Sequence, residues 1–133
     1  VVVLGLGYCG GAIARFFARE EHCEVVGTTR SAVAVEDVRA GVRTLAVSED
    51  SRELEAVLRR AELIIATAPP GEAGDPFLQD QGLRSALEAA VRAGAVVIYL
   101  SSVGVYGDRG GARVTEETPP APCTARAKRR LAA

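Results

Sequence analysis

The chain has 133 residues, of which 48% are hydrophobic and 25% charged, and its formal net charge is -1. This length suits one globular domain, and so balanced a charge argues against a nucleic-acid partner, which would require a basic face. No apolar run approaches the roughly 18 residues of a membrane span, and no signal peptide is visible. The cysteines, Cys9, Cys23 and Cys123, form no CxxC pair, which argues against a disulfide framework or a metal site and favours a cytoplasmic protein.

Short apolar runs alternate with helical patterns along the whole chain. Strands are predicted at Val1–Leu4, Glu24–Thr28, Val42–Val47, Leu63–Thr67 and Ala95–Ser101. Helices are predicted at Gly10–Glu21, Val33–Ala40, Ser51–Arg60, Phe77–Ala93 and Cys123–Ala133, and a loop at Gly104–Pro122. Strands separated by helices indicate right-handed βαβ units, and hence a doubly wound α/β fold (Rossmann) whose parallel sheet has the strand order 3-2-1-4-5.

Three of these helices have further signals. Apolar residues at helical spacing define a buried face in the first helix and in the third, and they are Ile13, Phe16 and Phe17, then Leu54, Val57 and Leu58. Ser51 or Asp50 is placed to cap the third helix. The last helix runs to Ala133, and Val1 begins inside an apolar run without an initiator methionine, so we expect a C-terminal portion to be missing.

The segment Gly5-Leu6-Gly7-Tyr8-Cys9-Gly10 is a GxGxxG motif between the first strand and the first helix. In this context Gly5 permits a tight turn, Gly7 lets the backbone approach a pyrophosphate, and Gly10 lets the helix pack against the strand. The N–H groups that open the helix would then receive phosphates. The pattern predicts a dinucleotide-binding domain over residues 1–133, the alternative being a glycine-rich turn without a ligand.

The end of the second strand indicates which dinucleotide is bound. An acidic residue about 20 positions past the glycine loop would bind the ribose hydroxyls of NAD. The chain has Thr29-Arg30-Ser31 there instead. Because a guanidinium group suits the 2′-phosphate of NADP, NADP is the predicted cofactor, with NAD as the alternative and a solvated surface arginine as the plain interpretation of Arg30.

Later segments resemble the extended short-chain dehydrogenase/reductases, the NAD-dependent epimerase/dehydratase family. The resemblance lies in Ser101-Ser102-Val103-Gly104-Val105-Tyr106-Gly107 after the fifth strand and in Glu116-Glu117-Thr118-Pro119-Pro120, together with the glycine loop. In that family a serine, a tyrosine and a lysine act together, with the tyrosine as general acid/base. The resemblance implies that Ser102 is the serine and that Lys128 is the lysine, which also holds the nicotinamide ribose.

Two features depart from the family pattern. Thr124 stands four residues before Lys128, where the resemblance implies a tyrosine, and a threonine hydroxyl cannot replace a phenol as proton donor. The glycine pattern is GxGxxG, whereas extended members usually have GxxGxxG. Both departures resemble the atypical branch, and they leave Ser102, Lys128 and Thr124 as the candidate catalytic residues.

Other positions have alternative interpretations. We expect the residues after the fourth strand to line the cofactor, unless they form a rigid turn only, and Cys9 to pack in the loop rather than act as a reactive thiol. Glu49 or Asp50 either contacts adenine or caps a helix, and His22 is expected at the surface. The predicted cofactor-binding residues are Gly5, Gly7, Tyr8, Cys9, Gly10, Thr29, Arg30, Ser31, Ala66, Thr67, Ala68, Pro69, Ser101 and Lys128.

The leading functional hypothesis is an NADP-binding oxidoreductase or epimerase/dehydratase-like enzyme that acts on a hydroxyl or carbonyl group. A nucleotide-linked sugar is one candidate substrate, and a small molecule is the expected partner besides the cofactor. The alternative is a non-catalytic NAD(P)-binding or redox-sensing protein, which the missing tyrosine favours. A third alternative is a fragment with neither activity. The oligomeric state does not follow from the sequence.

Overall fold

The computed structural model describes residues 1–30, 40–47 and 51–133. The predicted helix Val33–Ala40 lies outside the described residues apart from Ala40, and so do Ser31, Glu49 and Asp50. The chain divides into two compact units, the first comprising Val1–Ala68 and Asp80–Leu100, and the second comprising Pro69–Gln79 and Ser101–Ala133. One domain over residues 1–133 therefore stays a prediction.

The first unit contains a five-stranded parallel sheet. Its strands are β1 (Val2–Leu4), β2 (Val26–Thr29), β3 (Arg43–Ala46), β4 (Leu63–Ala66) and β5 (Val96–Tyr99). Their order, β3-β2-β1-β4-β5, confirms the predicted doubly wound topology. Each neighbouring pair is parallel, with Val3 opposite Gly27 on one side and Ile65 on the other. The carboxyl ends of all five strands therefore meet at one edge of the sheet.

Three helices belong to the same unit as this sheet: α1 (Tyr8–Phe17), α2 (Arg52–Leu58) and α4 (Gln81–Arg92). The predicted single helix Phe77–Ala93 is wrong, because the chain forms α3 (Pro76–Gln79) and then α4, with the intervening Asp80 in an extended conformation. The Asp80 carboxylate accepts a hydrogen bond from the Leu83 N–H at 2.9 Å and so caps α4. No helix of the described residues is both long and apolar enough to cross a membrane.

Apolar residues of the strands and helices form the core of the first unit. Val3, Ala14, Val25 and Val42 are buried together, with Ile13 and Phe17 packed against them. The predicted apolar face of α2 is confirmed, since Leu54, Val57 and Leu58 are all buried. Phe16 was expected on the same face of α1, but it is 62% exposed. It precedes Phe17 by one residue and so lies about 100° around the helix from Phe17, which packs against the core.

Capping of α2 differs from the prediction. Ser51 occupies the position before the helix but its hydroxyl makes no capping bond. The hydroxyl donates instead to the side chains of Glu55, at 3.0 Å, and Asp80, at 3.3 Å. Ser51 therefore links α2 to the start of α4 through side chains rather than satisfying the backbone of its own helix.

The second unit has little regular structure. It contains α3, a short 3₁₀ helix at Val103–Tyr106 and α5 (Ala125–Ala132), with Phe77, Val105 and Ala127 buried. The predicted loop Gly104–Pro122 is mostly confirmed, except that it begins inside the 3₁₀ helix. Arg109 fixes this loop by donating hydrogen bonds to the carbonyl oxygens of Tyr106 and Pro119, at 2.9 and 2.6 Å.

Candidate functional site

The glycine loop, Gly5–Gly10, joins β1 to α1 at the carboxyl edge of the sheet. Gly5 has a φ of +104°, which L side chains rarely adopt, and a Cβ there would lie 2.9 Å from the Ala68 nitrogen. Gly10 has even less room, because an added Cβ would overlap the Gly5 carbonyl oxygen and lie 2.6 Å from the Thr67 hydroxyl. The turn at Gly5 and the close helix packing at Gly10 therefore have the roles predicted from the motif.

Gly7 has the opposite surroundings. A Cβ added at Gly7 would meet no atom within 4 Å among the described residues, and the backbone there is extended, with a φ of -83°. The fold itself therefore does not require glycine at this position. A ligand that approaches the backbone would supply such a requirement, as the predicted pyrophosphate does.

The first turn of α1 presents backbone donors. Helices leave their first N–H groups without partners inside the helix, and glycine at the N-cap, Gly7, offers no side chain to cap them. Tyr8 and Cys9 in this turn are exposed, while Gly10 is buried. An exposed helix N-terminus with its positive dipole end fits an anionic group, so the residues present fit the phosphates of a dinucleotide.

Two threonines hold the glycine loop at Gly5. Thr28, the penultimate residue of β2, is fully buried; its hydroxyl accepts a hydrogen bond from the Gly5 N–H at 2.9 Å, and its carbonyl accepts one from the Leu6 N–H at 2.6 Å. Thr67, just after β4, donates its hydroxyl to the Gly5 carbonyl at 2.6 Å. Sequence analysis missed the role of Thr28, and it expected the segment of Thr67 to line the cofactor or to form a rigid turn. The hydroxyl of Thr67 instead supports the glycine loop.

The segment after β4 lies beside the loop, as expected at the point where the strand order reverses. The N–H groups of Thr67 and Ala68 both approach the Leu4 carbonyl at 2.9 Å, and Ala66 is paired with Leu4 in the sheet. This arrangement brings Ala66, Thr67 and Ala68 next to Gly5. Pro69 belongs to the second unit.

Thr29 ends β2 and Arg30 follows it at the same sheet edge. Thr29 is half-buried, and Arg30 is exposed and forms no ion pair or hydrogen bond within the described residues. Among the described residues, therefore, nothing occupies the donors of this guanidinium group, and they suit a ligand that supplies acceptors. The contribution of Ser31 lies outside the described residues.

The candidate catalytic residues of the second unit are unequally placed around a pocket. Ser102 and Thr124 both line a pocket of about 260 Å³, whereas Lys128 is exposed and is not among its lining residues. Thr124 is the N-cap of α5, and its hydroxyl accepts a hydrogen bond from the Ala127 N–H at 3.2 Å. The residue found at the expected tyrosine position thus has a structural role as a helix cap.

Ser101 and the acidic segment of this unit are exposed to solvent. Thr115 donates its hydroxyl to the Glu117 carboxylate at 2.7 Å, and this hydrogen bond lowers the pKa of Glu117 below its ordinary value. Within the first unit, His22 is exposed, as expected, and lines a pocket with residues from the amino ends of the strands. It therefore lies at the opposite edge of the sheet from the glycine loop.

Comparison with protein families agrees with this architecture. The family model of the NAD-dependent epimerases/dehydratases matches residues 1–133, the whole chain. The chain therefore belongs to the NAD-dependent epimerase/dehydratase family. A search of curated proteins found no match.

Solved structures share the fold. A conserved protein of unknown function from Silicibacter pomeroyi DSS is 30% identical, with a TM-score of 0.76 over 98% of this chain and 46% of its own. The dTDP-glucose 4,6-dehydratase of Bacillus anthracis, in complex with NAD, is 19% identical, with a TM-score of 0.71 over 97% and 46% of the two chains. UDP-glucuronic acid 4-epimerase of Bacillus cereus, also with NAD, is 20% identical, with a TM-score of 0.68 over 98% and 49%. The chain thus spans about half the length of these proteins.

Proposed function

We propose that this chain binds a nicotinamide dinucleotide through its glycine loop. The proposal is carried by the open space at Gly7, within a loop where Gly5 and Gly10 have no room for a side chain. The exposed N–H groups at the start of α1 would receive the pyrophosphate, and the backbone of Ala66–Ala68 would line the ligand nearby. The NAD complexes of the Bacillus dehydratase and epimerase, which share the fold, support the class of ligand.

We further propose that NADP is preferred over NAD. Arg30 follows β2 where an NAD-binding domain of this kind has a carboxylate, and its guanidinium is exposed and without a protein partner in the described part of the chain. An unpaired guanidinium is suited to bidentate hydrogen bonds with a phosphate. The neighbouring hydroxyls of Thr29 and Ser31 are the further candidates for this contact.

The proposed activity is that of an oxidoreductase or epimerase/dehydratase acting on a hydroxyl or carbonyl group. When bound, the nicotinamide supplies or accepts a hydride. Ser102 orients the substrate oxygen through its hydroxyl, and Lys128 binds the nicotinamide ribose through its ammonium donors. A nucleotide-linked sugar is the candidate substrate that family membership suggests, since two of the related structures act on such sugars.

A second candidate function is that of a non-catalytic NAD(P)-binding or redox-sensing protein. It is favoured by the hydrogen bond that the Thr124 hydroxyl accepts from the Ala127 N–H. This bond gives Thr124 a structural role as a helix cap, and Thr124 does not replace the family's tyrosine as a proton donor. In this case the position of the tyrosine would serve only to cap α5, and the protein would keep cofactor binding without catalysis.

The glycine loop is tested by two valine substitutions. Gly7→Val should abolish NADPH binding while the circular dichroism spectrum and the melting temperature stay unchanged, because the side chain occupies the ligand's space and its Cβ meets no atom of the described residues. Gly10→Val should instead destabilise the fold, since its Cβ overlaps the Gly5 carbonyl. Calorimetric titration measures the binding. A folded Gly7→Val variant that binds NADPH as the wild type does would refute the proposal.

A further inference from the structure

Gly27 is the second residue of β2, and its own backbone does not require a glycine. It is buried in the sheet between Val3 of β1 and Thr44 of β3, and its φ lies outside the left-handed region. Glycine weakens the interior of a strand, because it has no side chain to pack and loses much conformational freedom on folding. A glycine at such a position often marks a close approach by another part of the chain.

The group that approaches Gly27 is the side chain of Leu6, which stands between Gly5 and Gly7 in the glycine loop. A Cβ added at Gly27 would lie 2.5 and 2.6 Å from the two methyl carbons of Leu6 and 2.6 Å from its Cγ. Favourable contacts between carbon atoms need about 3.5–4.0 Å. The whole branched end of Leu6 therefore occupies the space that any larger residue at position 27 would need.

Leu6 has little freedom to move away from Gly27. Its N–H donates to the Thr28 carbonyl at 2.6 Å, and the preceding Gly5 N–H donates to the Thr28 hydroxyl at 2.9 Å. The side chain of Leu6 also packs against the apolar core of the first unit. A methyl group at position 27 would therefore either expel this side chain from the core or displace its backbone, and with it the adjacent Gly7.

We propose that Gly27 is a positioning residue for dinucleotide binding, and that the packing of Leu6 against it fixes the backbone of the glycine loop at Gly7. This inference rests on the proposed function, because Gly7 is where that proposal brings the pyrophosphate to the backbone. Gly27 acts through Leu6 and need not touch the ligand. Displacement of the loop backbone would impair its hydrogen bonds to the phosphates, because such bonds weaken steeply as their angle worsens.

The first measurement is the dissociation constant for NADPH, obtained by calorimetric titration of the full-length protein. Gly27→Ala should raise this constant about ten- to a hundredfold, the value of one hydrogen bond to a charged group. Val57→Ala is the control, because it truncates a buried side chain of α2, a helix that packs against α4. It should lower the melting temperature and leave the constant unchanged. A folded Gly27→Ala variant that binds NADPH as the wild type does would overturn the inference.

A second substitution tests whether Gly27 acts through Leu6. Leu6→Ala removes the branched end of that side chain and so provides the room that position 27 lacks. Gly27→Ala should lower the melting temperature of the wild type but raise that of Leu6→Ala, because the added methyl then fills part of a cavity and restricts the unfolded chain. The double variant should bind NADPH at least as tightly as Leu6→Ala does, and it serves as the test if Gly27→Ala alone does not fold. Equal effects of Gly27→Ala in both backgrounds would contradict the proposed coupling.

The ligand-free protein separates this inference from the proposed function. Backbone amide NMR follows the N–H signals of Gly5, which is bonded to Thr28, and of Gly7. We expect Gly27→Ala to shift both signals without any ligand, whereas Val57→Ala should leave them unchanged. A wild type that binds NADPH, with both signals unchanged in Gly27→Ala, refutes the positioning role alone. A wild type that binds no NADPH refutes the proposed function, and the role of Gly27 in binding with it.

Discussion

Thr28 and Thr44 lie on the neighbouring strands β2 and β3, and their hydroxyls have opposite surroundings. The Thr28 hydroxyl accepts from the Gly5 N–H, whereas the Thr44 hydroxyl is buried without a partner in the described part of the chain. Thr28→Val should therefore lower the free energy of unfolding by about 1–3 kcal/mol, the cost of leaving a partly buried N–H unpaired. Thr44→Val should be neutral or stabilising, because it removes an unsatisfied polar atom. Urea denaturation measures both, and equal effects would contradict this account.

Arg30 determines cofactor choice if the proposal is correct. The wild type should bind NADPH more tightly than NADH, and Arg30→Ala should reduce that difference by roughly ten- to a hundredfold, the value of a charge-assisted contact to phosphate. Calorimetric titration with both cofactors measures the difference, and Arg19→Ala, an exposed arginine elsewhere in the first unit, is the matched control. If Arg30→Ala weakened the binding of NADPH and NADH equally, the guanidinium group would not contact the 2′-phosphate.

Single residues also show where sequence reasoning ends. The mechanical roles of Gly5 and Gly10 followed from a local motif, because strand, turn and helix are contiguous. The support given by Thr28 and Thr67 depends on partners 23 and 62 positions away in the sequence. No local pattern marks such a contact, so Thr28 received no predicted role, and the segment around Thr67 was expected only to line the cofactor or to form a rigid turn.

At the scale of an element, α5 depends on its cap. Thr124→Ala removes the acceptor of the Ala127 N–H and should lower the free energy of unfolding by about 1 kcal/mol, while Thr124→Ser keeps the acceptor and should have little effect. Thermal denaturation of the three proteins measures the difference. If alanine and serine behave alike, the hydroxyl does not stabilise the helix.

The elements themselves were predicted unequally. Every strand was found because buried parallel strands appear as short apolar runs, although each has fewer residues than predicted and β2 ends one residue later, at Thr29. The division into α3 and α4 was missed because apolar residues continue at helical spacing on both sides of Asp80. Aspartate is compatible with a helix interior by composition, and only its extended backbone and its bond to the Leu83 N–H show that a helix begins there.

At the scale of the whole molecule, a tyrosine placed at position 124 would restore the phenol that the family pattern has there. Thr124→Tyr in the full-length protein should create carbonyl-reductase activity with a generic ketone and NADPH, if loss of the tyrosine alone ended catalysis. The decrease in NADPH absorbance measures turnover, and Thr124→Phe, which adds the ring without the hydroxyl, is the control. Activity in the wild type would show instead that Thr124 is no obstacle, and activity in Thr124→Phe would exclude the phenol as its source.

Topology was the part of the molecule that the sequence predicted best. Parallel strands with right-handed connections leave few orders, and 3-2-1-4-5 is the one expected for this arrangement of βαβ units. The division into two units was not predicted, because the second unit lacks the periodic patterns that mark strands and helices.

The anchoring of Gly5 has a consequence for how a ligand is received. Its N–H and C=O groups are tied to hydroxyls from the two strand ends that flank β1, so the glycine loop is preorganised in the ligand-free protein. Binding that must order a loop loses conformational entropy, and this loop has little of that entropy left to lose at Gly5. The free energy of its contacts with a dinucleotide is therefore available for affinity, and the ligand need not first shape its own binding site.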